Sequence, residues 1–315
     1  MNNSPLVNEE THKRIMAVVK ELGYRPDPVA RRLSIGKTLA VAVIVPFFTR
    51  PSVSERLNGA ISLLSQTEYD LVIHNIETAE QYVSCFNKIP DRRQADGVLI
   101  ISLSPADEET QQLAEADVPI VMIDADHPAL TMLHRVTVDD IEGGRRATEH
   151  LINLGHRRIG FIGDIIENPF NFGASRDRFL GYRQALEEAG IPYQPKYYAE
   201  NQHGRQEAHE SAKRILSLDD RPTAIFAASD TQAVGVLQAA RCAGLRVPED
   251  LSVIGYDDIE VADILSLTTI RQMLFESGRL GVELLLEALE HPDMEPVHTI
   301  LPTELVVRGT TAAVA

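Results

Sequence analysis

The sequence predicts an α/β protein of two doubly wound parallel-sheet lobes, preceded by a short helical segment. Three observations carry that prediction. From Leu39 onward, apolar runs of strand length alternate with helical stretches. The runs are continuously apolar rather than alternating, the pattern of parallel strands covered on both faces. They fall into two series on either side of about residue 139, in a chain of 315 residues, a length that suits two lobes of ordinary size.

Taken in order, the elements begin with a helix. Asn8 is a suitable N-cap, Glu9 and Glu10 place acids in the first turn, and Ile15, Val18, Val19 and Leu22 recur at i, i+3, i+4 and i+7. Gly23 stands where a C′ glycine ends a helix, and Tyr24-Arg25-Pro26-Asp27-Pro28 reads as a stop and linker. A very short second helix over Pro28–Leu33, ending near Gly36, needs a partner to be stable. Strands are then expected at Leu39–Pro46, Leu71–His74, Gly97–Ser102 and Pro119–Asp124, and again at Arg158–Gly163, Thr223–Ala228 and Leu251–Tyr256. Helices are expected at Glu55–Ser65, Glu108–Glu115, Glu142–Leu154, Ser175–Ala189, Gln206–Leu216 and Thr231–Ala243, with Val136–Asp140 as the chain crossing between lobes. Successive βα units imply right-handed crossovers and open sheets.

Composition narrows the function. The chain is 44% hydrophobic and 24% charged, as folded globular proteins are. Its two cysteines, Cys85 and Cys242, are far apart, which excludes a disulfide framework and makes a reducing cytosol the simplest compartment. No apolar run approaches the roughly 18 residues of a membrane span. The net charge of −16 conceals an asymmetry. Residues 1–37 carry seven Lys/Arg and four acids, or +3, leaving −19 for the remainder. A basic tip precedes an acidic body.

In doubly wound sheets, ligands bind beyond the carboxyl ends of the strands. There the sequence places Pro46-Phe47-Phe48, Ser102, Asp124, Asp164, Ser229-Asp230 and Asp257-Asp258. Carboxylates that accept from hydroxyls, beside aromatic faces that stack on a ring, suit a polyol or sugar. Catalytic patterns are missing: no HExxH, GxSxG or GxGxxG occurs, and Gly36-Lys37-Thr38 precedes a strand rather than following one. Asp124-Ala125-Asp126 imitates a metal pair only by coincidence, and His203 with His209 is expected to decorate a surface helix. No enzyme activity, metal or cofactor is expected.

Several motifs together resemble the lactose-repressor/galactose-repressor (LacI/GalR) family. They are Asn2-Asn3-Ser4-Pro5-Leu6-Val7-Asn8, Gly23-Tyr24-Arg25-Pro26, Val29-Ala30-Arg31-Arg32-Leu33 and Gly155-His156-Arg157-Arg158-Ile159. Further along come Ser175-Arg176-Asp177-Arg178-Phe179-Leu180-Gly181-Tyr182, Val247–Asp258, Leu267-Thr268-Thr269-Ile270 and Leu301–Gly309. The resemblance covers essentially the whole chain, in order. It begins immediately after the two helices of the family's helix-turn-helix. An internal methionine taken as the start is the expected reason, and the chain as given is expected to bind operator poorly or not at all.

The resemblance implies a periplasmic-binding-protein-like type I core: residues 38–138 and 271–295 in one subdomain, 139–270 and 296–315 in the other, with 1–37 as DNA-binding remnant and hinge. It implies a cytoplasmic, homodimeric repressor that binds operator DNA and a small effector, expected to be carbohydrate, with no cofactor. Leu33 matches the leucine that wedges into the minor groove, Ala30 and Arg31 line that groove, and Arg32 is in reach of a phosphate. Arg178 matches the effector-binding arginine and Asp257 the hydroxyl-accepting aspartate, with Asp258 left structural. Ser229 and Asp230 either bind ligand or cap the following helix. Ser102 and Asp124 match cleft positions loosely, Phe47, Phe170 and Phe172 are candidates to stack on a sugar ring, and Gln272 follows a lobe crossing. The alternative is a stand-alone or periplasmic-type sugar-binding protein without DNA-binding activity.

Overall fold

Alternation along each buried strand decides the layering of the protein. In a computed structural model, which describes residues 8–21, 36–89, 91–125 and 127–314, successive side chains of β1 (Ala40–Pro46) serve opposite faces of one sheet. Val41, Val43 and Val45 pack under α2 (Pro51–Leu64) and the late helix α10 (Leu274–Glu290). Ala42 and Ile44 pack under α3 (Ala79–Asn87) and α4 (Asp107–Ala114). The second lobe repeats the scheme. Ile225 and Ala227 of β8 (Ala224–Ala227) lie under α7 (Arg205–Leu216) and α8 (Asp230–Cys242). Ala224 and Phe226 lie under α5 (Asp140–Asn153) and α6 (Ala174–Glu188). Burial on both faces explains why these strands carry no polar alternation.

The first sheet joins β1 to β2 (Asp70–Ile76), β3 (Gly97–Ile101), β4 (Ile120–Ile123), β5 (His134–Val138) and β11 (His298–Leu301) in the order β11-β5-β4-β3-β1-β2, all parallel. The second runs β12-β10-β9-β8-β6-β7, from β6 (Ile159–Asp164), β7 (Tyr198–Asn201), β8, β9 (Ser252–Asp257), β10 (Thr268–Arg271) and β12 (Glu304–Val306). A short helix, α9 (Glu260–Ile264), links β9 to β10. In each lobe the order reverses beside the first strand, between β1 and β3 and between β6 and β8, which is where such sheets bind ligands.

Two expectations are corrected. β12 pairs antiparallel with β10, so the second sheet is not wholly parallel. β11 pairs with Arg135–Val138 of β5 and so belongs to the first lobe, which moves the last crossing from 295/296 to the two residues between Leu301 and Glu304. Between the lobes, Val136–Asp140 carries the chain from the end of β5 to α5, with Asp139 capping that helix by accepting from the Glu142 amide at 2.9 Å. At the N-terminus, α1 (Glu9–Glu21) starts as expected, the Thr11 amide donating to Asn8 Oδ1 at 2.8 Å. Ala30, Arg31, Arg32 and Leu33 lie outside the described residues. After Gly36-Lys37, the amides of Thr38 and Leu39 donate to the Asp96 carboxylate at 2.8 and 3.0 Å.

Glycines set two helix crossings that matter for the site. A methyl group on Gly278 of α10 would fall on the backbone carbonyl of Arg56 in α2. One on Gly144 of α5 would fall on the carbonyl of Arg178 in α6. Each lobe therefore clamps one arginine-bearing helix at van der Waals contact.

Candidate functional site

The strand ends face each other across the two lobes. At four of them a non-glycine residue takes positive φ: Phe47 at 43°, Ser102 at 54°, Asp124 at 55° and Asp257 at 115°. Such conformations are costly for L-residues and gather at functional sites. Here they turn the chain sharply as it leaves β1, β3, β4 and β9 toward the interlobe cleft. That cleft holds a cavity of about 90 Å³ reached by Ser102, Asp124, Asp164, Arg178, Ser229, Asp257 and Gln272. A larger hollow of about 460 Å³, around Pro119, Leu133 and Met294, lies at the amino ends of the first sheet's strands, the wrong end for a ligand in this architecture.

A buried polar chain crosses from lobe to lobe. Ser102 Oγ donates to Asp124 Oδ2 at 2.6 Å, and Asp124 Oδ1 pairs with Arg56 Nη2 at 2.9 Å. Arg56 Nη2 also donates to Gln272 Oε1 at 2.8 Å, and Gln272 Nε2 donates to Asp257 Oδ1. Asp257 lies 3.6 Å from Arg178 Nη1, and Arg178 donates to Asp140 Oδ1 at 2.8 Å and to the Ala228 carbonyl at 2.6 Å. The Arg178 guanidinium also stacks 3.7 Å above the Tyr256 ring. Burial works against the charge on Arg178, but the Asp140 and Asp257 carboxylates outweigh it and hold the guanidinium above the ordinary arginine value. Burial pushes the Asp257 carboxyl up to about 6, against the pull of Arg178 and Arg56.

A second cluster lies on the far lobe. Asp164 Oδ1 accepts from Gln232 Nε2 at 2.8 Å and meets His203 Nδ1 at 3.1 Å. Ser229 is a helix cap, its hydroxyl accepting from the Gln232 amide at 3.2 Å at the start of α8, and it also lines the cleft.

Other expectations need correction. Asp230 does not line the cleft. It is fully buried, accepting from the Thr269 hydroxyl at 2.6 Å and the Ile259 amide at 3.0 Å, and so ties α8 to β10. Asp258 plays a structural part, accepting from Arg271 and Arg308 at 2.7 Å. His203 is no surface ornament; it lies just before α7 and reaches the cleft. Phe170 packs against the first lobe's core, stacked on Phe172 at 5.2 Å and edge-on to Phe47 at 5.3 Å. Of these three rings only Phe172 lines the cavity.

Arg56 and Asp140 belong to this network and Arg50 lines the cleft beside it; sequence reasoning missed all three. Arg56 had a signal: it falls beside Val53, Leu57, Ala60 and Leu64, the apolar stripe of α2. A charged side chain on a buried stripe, here 2% exposed, marks a paired or functional group.

Comparison with known proteins agrees with this geometry. Residues 148–311 match the periplasmic binding protein-like domain family. The transcriptional repressor PurR of Vibrio vulnificus is 32% identical over 98% of this chain and 92% of its own length. The chain belongs to the LacI/GalR family of transcription regulators. Among solved LacI-family structures, the complex of the regulator CelR with cellobiose superposes with a TM-score of 0.77 at 30% identity, covering 98% of this chain and 92% of the other. The Lac repressor dimer bound to operator and an anti-inducer superposes with a TM-score of 0.86 at 26% identity, covering 99% and 93%. In this chain the two sheets are joined by three crossings, after β5, after β10 and after β11. Among the described residues no helix is long and apolar enough to cross a membrane.

Proposed function

We propose that this protein is a cytoplasmic, dimeric repressor whose interlobe cleft binds a carbohydrate effector and transmits its presence to operator DNA. The observation that carries the reading is the buried polar chain from Ser102 through Arg56 and Gln272 to Asp257 and Arg178, strung across both lobes at the strand ends. A ligand whose hydroxyls bond Asp257 and Arg178 on one side and Ser102 or Asp124 on the other replaces bonds the lobes make with each other. Binding thereby resets the angle between the lobes. Coupling of this kind is reciprocal, so effector and operator alter each other's affinity by the same factor.

Operator DNA is reached through the N-terminal segment, whose charge of +3 over residues 1–37 contrasts with the acidic body. Ala30, Arg31 and Leu33 are its groove contacts. Dimerisation buries apolar residues that a monomer leaves exposed: Val72 and Ile73 on edge strand β2, and Ile264 on α9. CelR binding cellobiose supports the carbohydrate class, and the operator-bound Lac repressor dimer supports the partner and the assembly.

A thermal-shift screen of the full chain against mono- and disaccharides tests the reading, because a ligand that binds the native state raises its melting temperature. At least one sugar is expected to stabilise the protein, with the effect lost in Asp257→Asn. A flat response to every carbohydrate, those bearing acid groups included, would overturn it.

A further inference from the structure

The charges lining the cleft balance in number, but one of its cations is left without a paired carboxylate. Three guanidinium groups, Arg50, Arg56 and Arg178, line it together with the carboxylates of Asp124, Asp164 and Asp257. Two of the arginines are matched: Arg56 by Asp124 at 2.9 Å, and Arg178 by Asp140 at 2.8 Å. Arg50 is not. Its guanidinium carbon lies over the Phe47 ring, 4.0 Å from the centroid, and 5.8 Å from that of Phe172, and among the described residues the guanidinium makes no hydrogen bond or ion pair.

The nearest rival for Arg50 is already engaged. Asp164 acts on it only through space, while its carboxylate is held by Gln232 and His203. Burial accordingly pushes the Arg50 guanidinium below the usual arginine value, with Asp164 offsetting part of the effect. A second orphan stands nearby in the same cleft: Arg56 Nε is buried without an acceptor, although the side chain is 2% exposed. Buried donors without acceptors are rare, because each forfeits the hydrogen bonds it had in water. A guanidinium fork is best satisfied by a planar or tetrahedral anion, whose charge-assisted bonds are roughly twice as strong as neutral ones.

We infer that the effector is an acidic carbohydrate, a sugar carrying a carboxylate or a phosphate, and that Arg50 clamps the anionic group with Arg56 Nε as a supporting donor. This rests on the carbohydrate-sensor reading and narrows it. Asp257, Arg178 and Ser229 then face the hydroxyls, and Arg50, held by Phe47 on the opposite lobe, faces the acid. The same division makes the anion a bridge between lobes, so a neutral parent sugar occupies the cleft without drawing Arg50 onto it.

Titration calorimetry on the full chain decides the matter. The probes are neutral hexoses and pentoses, their uronates and aldonates as the carboxylate arm, and their terminal phosphate esters as the phosphate arm. At least one acidic sugar is expected to bind about tenfold or more tightly than its neutral parent, with the gap shrinking as salt is raised. Arg50→Gln should close the gap, and Arg50→Lys, which keeps the charge but not the fork, should retain part of it. Near-ultraviolet circular dichroism confirms that each variant is folded. Neutral sugars binding as tightly as their acids, or a gap that survives Arg50→Gln, would overturn the inference while leaving the sensor reading intact. If sugars of neither kind bind, the sensor reading itself fails and this inference falls with it.

Discussion

Arg56 and Gln272, 216 positions apart, share a buried hydrogen bond of 2.8 Å between guanidinium and side-chain amide oxygen. Arg56 belongs to the first lobe, and Gln272 stands where the chain crosses back from the second. Because the Gln272 oxygen accepts from Arg56, its nitrogen is left to donate to Asp257, so the amide orientation is dictated from both ends. One glutamine thus relays the state of the first lobe to the carboxylate of the second.

Replacing that relay should be costly in a specific way. Gln272→Leu keeps the bulk but leaves a buried donor on Arg56 and a buried acceptor on Asp257 without this partner. A loss of roughly 1–3 kcal/mol is expected in denaturant unfolding, together with weakened effector binding. Unchanged stability and affinity would show that the bridge is incidental.

Asp257 makes the protein pH-sensitive in a predictable direction. Its carboxyl sits at about 6 rather than 3.8, so the native state holds this proton more tightly than the unfolded chain does. The stabilisation from that proton is complete below the unfolded value and lost as pH rises through the folded one, at up to about 1.4 kcal/mol per pH unit. Effector affinity should run the other way, rising as Asp257 ionises and becomes a full hydroxyl acceptor. Unfolding and calorimetric titrations across about pH 4 to 7 on wild type and Asp257→Asn test both trends. Identical slopes in the two proteins would assign the titration elsewhere.

Arg178 should not tolerate even a conservative change. Its fork serves Asp140 and the Ala228 carbonyl while its plane lies on Tyr256. Arg178→Lys retains the charge but cannot make all three contacts, and effector affinity is expected to fall by about tenfold or more. A lysine variant binding normally in the thermal-shift screen would remove Arg178 from the effector contacts.

The glycine crossings are open to a simple test. Gly278→Ala places a methyl on the Arg56 carbonyl and should cost about 1–3 kcal/mol or more through overpacking. Glu287→Ala, on the exposed side of the same helix, should stay within about 0.5 kcal/mol of wild type. Comparable losses in both variants would mean that the close helix approach is not what the added methyl disrupts.

Assembly can be checked by sedimentation. Ile73→Lys combined with Ile264→Lys places charge on the exposed apolar side chain of each lobe and is expected to turn a dimer into a monomer that still shows native circular dichroism. A dimer that survives both substitutions uses another surface.

Much of this architecture was legible in the residues. Runs such as Ala40–Pro46 and Ala224–Ala227 announce themselves because both faces of the strand are buried and polar residues are excluded. Short, partly exposed strands such as Tyr198–Asn201 and Glu304–Val306 do not, since half-wet surfaces accept many residue types. His298–Leu301 was placed in the wrong lobe because a local pattern carries no record of which sheet the chain rejoins.

By itself, the sequence determined that there are two lobes, that their polar residues gather at the strand ends, and that Asp257 stands among them. Those are local facts, set by burial period and by the residue that follows each strand. Only the tertiary structure decided which polar groups meet. It sent Asp230 to Thr269, brought His203 to Asp164, joined Arg56 to Gln272, and left Arg50 resting on Phe47. The physical reason is that a hydrogen bond depends on ångström-scale approach between elements distant in the chain, and that approach is set by the crossings between lobes and the glycine-clamped helix pairs.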